Sequence, residues 1–143
     1  MAARVNPLMR RMVLTTRTRK KFYGREFKWG SADCAKAAAF HLKPFGWEVP
    51  APGRYASADG ARRRLAELGC ETMSQLIDQV GLPQIAPARV LTGDIVSFAS
   101  DHLIGAIGIV LDNNLMLAFH EDAVGMAVLR MIEVERAWSV WRG

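Results

Sequence analysis

Two residues side by side, Asp33 and Cys34, stand where chemistry could start. They close the stretch Phe27-Lys28-Trp29-Gly30-Ser31-Ala32-Asp33-Cys34, and a run of helix formers, 35–40, follows. Ser31 or Asp33 can cap a helix there, which puts Cys34 in its first turn. A thiol in that place feels the positive end of the helix dipole and free backbone N–H groups, and both favour the thiolate. A nucleophilic cysteine is built that way, and so is an ordinary buried cysteine at a helix start. What separates the two is a general base, which must come within about 3 Å of the proton it takes. The chain has three histidines, His41, His102 and His120. His41 lies seven residues after Cys34, on nearly the same helical face but ~10 Å further along the axis, so it belongs to core or surface and not to the thiol. His102, beside Asp101, and His120, before Glu121 and Asp122, are left as candidate bases.

Metal chemistry has no support in the cysteine pattern. Cys34 and Cys70 have neither a CxxC motif nor a zinc-site spacing, and no His or Cys clusters near them. No metal and no cofactor is expected, and no structural disulfide. Cys70, just after Gly69, reads as a buried small hydrophobe.

The elements that would position these residues come from hydropathy and turn signals. Residues 1–7 carry no periodicity and read as an arm, although Pro7 can start a helix. A weak apolar stripe through Leu8, Met12 and Val13 runs into the basic cluster Arg17-Thr18-Arg19-Lys20-Lys21, a solvated helix end. After the Cys34 helix, Pro44 and Gly46 end the pattern, and Phe45-Gly46-Trp47 reads as an exposed loop fit for a subunit contact. Further helices begin at Ser57 or Asp59 and at Thr72, closed by Gly69 and Gly81. Short strands are expected over 94–99, 105–111, 115–119, 125–131 and 138–141, with Asp112-Asn113-Asn114 turning a hairpin within 105–119. Helices first and an antiparallel sheet afterwards make the fold class α+β. We read one domain over 1–143, with a helical half (8–82) and a sheet half (90–143).

Composition bounds the rest. The chain has 143 residues, half hydrophobic and 23% charged, in the range of globular domains. No apolar run approaches the ~20 residues that cross a bilayer. The basic N-terminus is not followed by an apolar core and a cleavage site, so no secretory signal is read. The net charge of +5 hides a polarity. Residues 1–64 hold 15 basic against 4 acidic residues, a net +11, and residues 65–143 hold 4 against 10, a net −6. Such a chain suits head-to-tail docking or a basic face turned to an acidic partner. No aromatic interleaving or nucleic-acid motif accompanies the basic cluster, so nucleic acid is not expected as a partner.

The order of parts resembles a known family. Trp29-Gly30, Asp33-Cys34, Gly53-Arg54-Tyr55, Gly93-Asp94-Ile95-Val96, Ile107-Gly108-Ile109 and Ala137-Trp138-Ser139-Val140 together are similar to the NlpC-type, papain-like cell-wall cysteine peptidases, and closer still to phage-encoded relatives. The resemblance implies a papain-like fold of N-terminal helices on a C-terminal antiparallel sheet. It also implies a cysteine nucleophile facing a histidine on one strand, with a third polar residue on the next strand orienting it. Cys34 matches the nucleophile. At the base's position stands Ala106, and at the third position Ala118 or Phe119, so His102 and His120 are the only substitutes the chain offers.

Two functions follow as expectations. The first is a structural part of a phage or phage-like tail, at its tip or hub. It would be made in the host cytoplasm and carried in the virion among other tail proteins, on a peptidase fold that has lost its base. The second is an active cysteine peptidase or amidase acting on peptidoglycan during infection, with Cys34 as nucleophile.

Overall fold

The computed structural model describes residues 6–31, 33–50, 53–98, 105–119 and 125–142. Among these residues four helices come first: α1 Pro7–Phe22, α2 Cys34–Leu42 with a 3-10 turn Lys43–Phe45 behind it, α3 Ala58–Glu67 and α4 Met73–Val80. Six strands follow: β1 Gln84–Ile85, β2 Ile95–Phe98, β3 Ala106–Val110, β4 Leu115–Phe119, β5 Met126–Arg130 and β6 Val134–Trp138. They form one sheet in the order β1-β6-β2-β3-β4-β5, with every neighbouring pair antiparallel. This is the expected α+β arrangement.

Side chains that satisfy the first free N–H groups start the helices. Asn6 accepts from the amides of Leu8 and Met9 ahead of Pro7, Ser57 from Gly60, and Thr72 from Gln75. Asn6 and Pro7 are therefore the start of α1 and not part of an arm, because the cap and the fixed proline φ nucleate the helix directly. Residues 1–5 lie outside the described residues. Gly81, in a left-handed conformation, ends α4.

The sheet is buried on both faces. Ile95, Ile107, Ile109, Leu117 and Trp138 face the helices and pack with Phe22, Leu42, Met73 and Ile77. Their alternates Val96, Val110, Met116, Ala118 and Ala137 form a second, smaller cluster on the other side. That is why β3 and β4 read as unbroken apolar runs and not as alternating ones, and why β2 is apolar but for the buried Ser97. The link from Arg130 to Val134 explains the second cluster. It spans three residues, a reach of ~14 Å, whereas four strand spacings would set β5 and β6 ~19 Å apart in a flat sheet. The sheet must curl, and its concave side encloses the smaller cluster.

Three expectations are corrected. The last strand runs Val134–Trp138 and not over 138–141, because its pairing partners Ile95–Phe98 set the register. A short strand, β1, lies between the two halves and pairs with β6; two residues carry too little pattern to be seen. Phe45 belongs to the core, 5% exposed, since the 3-10 turn folds it inward beside His41. Trp47 beside it is half-buried and donates from Nε1 to the Val140 carbonyl at 2.8 Å.

One buried polar hub joins the layers. Asp94, 1% exposed, accepts through Oδ1 from Arg11 Nη1 at 2.7 Å and from the Val140 amide at 2.9 Å, and through Oδ2 from the Leu91 amide at 2.8 Å. Arg11 also donates to the Thr92 carbonyl at 3.1 Å. One carboxylate thus ties α1, the start of β2 and the end of the chain. Next to it His41, fully buried, lies 2.8 Å from the Gly93 carbonyl through Nε2 and 2.7 Å from Thr18 Oγ1 through Nδ1.

Candidate functional site

Asp33 is the cap that starts α2. Its Oδ1 accepts from the Lys36 amide at 2.9 Å, and its Oδ2 from the Gly30 amide at 2.9 Å and from the Tyr55 hydroxyl at 2.7 Å. The Trp29-Gly30-x-x-Asp33-Cys34 spacing has a local cause here. The carboxylate closes the loop back onto Gly30 and forward onto the helix, so Cys34 emerges as the first helical residue. Gly30 has φ +82°, and a Cβ there would overlap the Tyr55 carbonyl oxygen. Gly30→Ala is expected to cost about 2 kcal/mol from backbone strain alone, read as a lower urea midpoint.

The Cys34 residue keeps some surface, but its sulfur is desolvated. Burial pushes the thiol up to about 11, and the neighbouring Asp33 charge pushes the same way. The backbone of Ile107 and the residue's own amide act in the opposite direction, as donors favouring a thiolate, and lose to burial. The helix-start position alone therefore does not activate this sulfur. Tyr55 is also held protonated, raised first by burial and then by its bond to Asp33.

The contact with Ile107 places the thiol against β3, next to the position where the resemblance puts the base. That position, Ala106, is 7% exposed, and Ala118 on β4 is fully buried among Val96, Val110 and Met116. Neither can accept a proton. His102 and His120 lie outside the described residues. His41 is a core residue, and its ring nitrogens are engaged with Thr18 and Gly93, away from the sulfur. Burial pushes it down to about 4. Cys70 is buried and donates to Gln79 Oε1 at 2.8 Å. Both cysteines are free, and no group of His, Cys, Asp and Glu fit for a metal occurs among the described residues. Among the described residues, no helix is long and apolar enough to cross a membrane.

Tyr55 is the site residue that residue-by-residue reading does not assign. Its motif, Gly53-Arg54-Tyr55, is visible in the sequence, but the contact with Asp33 22 positions away is not.

Among solved structures, the chain is similar to NlpC1 from Trichomonas vaginalis, with a TM-score of 0.53 and 14% identity. The match covers 97% of this chain and 47% of that one, so the chain spans about half the length of that relative. At this identity the likeness shows the fold, an NlpC-like papain-type architecture. No curated protein matches the sequence. A family model described as a domain of unknown function, DUF6950, matches residues 10–140, nearly the whole chain, and this protein therefore belongs to the DUF6950 family.

Proposed function

We propose that this chain is a non-catalytic structural component of a phage or phage-like tail, built on an NlpC-type fold that keeps the nucleophile's position and has lost its base. One observation carries the loss of catalysis: the Cys34 thiol is desolvated and raised to about 11, beside a strand whose base position is Ala106. A cysteine peptidase needs the reverse, a thiol lowered by a neighbouring imidazolium. The tail assignment is supported by the likeness of the Trp29-to-Cys34 motif and its companions to phage-encoded relatives, and by the +11 and −6 halves of the chain. Its partners on this reading are other tail proteins. Mass spectrometry of particles purified from the phage or prophage that carries the gene should find the chain among the tail proteins.

The catalytic half of the proposal is tested on the thiol. At pH 7 a group raised from 9.0 to about 11 holds ~100-fold less thiolate. In a Cys70→Ala background, iodoacetamide should label Cys34 ~100-fold more slowly than a model thiol, with a rate that climbs through pH 10. Peptidoglycan and stem-peptide fragments should be cleaved no faster by the wild type than by Cys34→Ala. Rapid labelling with an inflection below pH 7, or cleavage that Cys34→Ala abolishes, would establish the second reading, an active peptidase or amidase. His102→Ala and His120→Ala would then name the base.

A further inference from the structure

Helix α1 turns an apolar face to solvent. Leu8, Met9, Met12 and Val13 are 60%, 60%, 62% and 59% exposed, while Arg11, Thr15, Thr18 and Phe22 on the opposite side are buried. Leu8 with Met12 and Met9 with Val13 are i, i+4 neighbours, so the four make one patch and not scattered exposures. The same face continues towards the C-terminus as Arg19 and Lys20, both exposed, and α1 contains no acidic residue.

A complementary feature stands elsewhere on the chain. The link that crosses from β5 to β6 holds Ile132, 66% exposed, with Glu133 and Glu135 exposed after it. The exposed Asp112 belongs to the neighbouring β3–β4 turn, whose Asn114 carbonyl accepts from the Met131 amide. Of the nearby cations, Arg136 is engaged with Asp78 at 3.6 Å, and Arg130 is exposed. The tip is thus one large apolar side chain with a net acidic surround. The patch on α1 is apolar with a basic surround. They are separate surfaces: α1 packs inward on α2 and Gly93, on the helix side of the sheet, whereas the 131–133 link spans the curl of the sheet.

We propose that the occupant of the α1 face is a second copy of this chain, docked head to tail, with its Ile132 tip among Leu8, Met9, Met12 and Val13 and its Glu133 and Glu135 facing Arg19 and Lys20. The charge polarity, +11 in residues 1–64 and −6 in residues 65–143, steers this orientation and opposes the face-to-face one. Because the two patches differ, each docked pair leaves one tip and one helix face free, and the contact propagates into a ring or a filament. The inference does not depend on whether Cys34 is active.

Sedimentation velocity over a concentration series tests it. The wild type should associate at low salt, with an apparent Kd at least ~10-fold weaker at 0.5 M NaCl, since exposed charges are screened beyond a few ångströms there. Met12→Glu with Val13→Glu should be monomeric, and so should Ile132→Lys. All three positions are exposed, and unchanged circular dichroism melts would show that the fold is kept. Mixed together, the two variants should form dimers that grow no further, because one chain retains its tip and the other its helix face. A wild type that stays monomeric at low salt and high concentration overturns the proposal. So does a mixture of the two variants that stays monomeric. Binding of the wild type to phosphatidylglycerol vesicles, lost in the Met12/Val13 variant and kept in Ile132→Lys, would assign the face to an anionic lipid surface and overturn it too.

Discussion

Asp94→Ala is expected to remove 3–5 kcal/mol of stability, roughly the cost of unpairing a buried ion pair, and to be the most damaging single truncation of a polar side chain in the sheet half. The carboxylate is 1% exposed and takes hydrogen bonds from Arg11, Leu91 and Val140. Alanine leaves the Arg11 guanidinium buried with the Thr92 carbonyl as its remaining acceptor. It also leaves the buried Val140 amide without this partner, a desolvation cost of roughly 1–3 kcal/mol, and takes the same acceptor from the part-buried Leu91 amide. Against a typical total of about 5–15 kcal/mol, such a loss takes the domain close to unfolding at ambient temperature. Arg11→Met should cost less, because Asp94 keeps both amide donors and the methionine stem fills the space. Urea unfolding of the three proteins at pH 7 gives the order wild type, Arg11→Met, Asp94→Ala. Equal stability of wild type and Asp94→Ala would show that the carboxylate is not the tie between α1 and the sheet.

Acidification from pH 6.5 to pH 4 should destabilise the protein by about 3 kcal/mol through His41 alone. The folded state holds this imidazole at about 4, below its ordinary 6.5, chiefly because burial disfavours the charged ring; the Gly93 carbonyl and the Asp94 charge offset part of that. Between those two values the unfolded chain binds a proton that the folded chain refuses, so stability rises with pH across the window. It is fully present above 6.5 and lost as pH falls towards 4. In the neutral ring Nε2–H donates to the Gly93 carbonyl, and Nδ1, at 2.7 Å, competes for the Thr18 hydroxyl proton with the Leu14 carbonyl at 3.1 Å. The groups that face it come from α1 and from the turn before β2, with the Phe45 ring centroid at 5.2 Å. Urea midpoints measured at half-unit steps should slope upward through this range in the wild type and flatten in His41→Gln. An unchanged slope in His41→Gln would assign the acid sensitivity to other groups.

Both predictions rest on contacts between residues far apart in the chain, and this marks the limit of reading the chain in order. The starts of α3 and α4 were legible, because Ser57 and Thr72 act on amides three residues away. The β3–β4 hairpin was legible for a similar reason, since Asn113 and Asn114 adopt positive φ at its turn. The local shape of the Trp29-to-Cys34 stretch was legible too, as Asp33 caps α2 and folds back onto Gly30 within a few residues. These are local interactions, and their cause lies within one turn of chain.

What the tertiary structure decided is the meaning of those local parts. A helix-start cysteine can be read as activated or as inert; packing against β3 buries the sulfur and drives it up to about 11. His41 reads as core or surface, and the approach of α1 and Gly93 makes it a buried, neutral core residue. The Gly93-Asp94 pair reads as the opening of a strand, but its carboxylate joins three segments: Leu91 three positions away, Val140 46 away and Arg11 83 away. The register of β6 came from β2 and not from its own hydropathy. Dipoles, caps and turns act over a few ångströms along the chain and are written in neighbouring residues. Desolvation and ion pairing depend on what folds over a group, so the Trp29-to-Cys34 motif determined where the thiol stands, and the sheet packed against it determined how deeply the sulfur is buried.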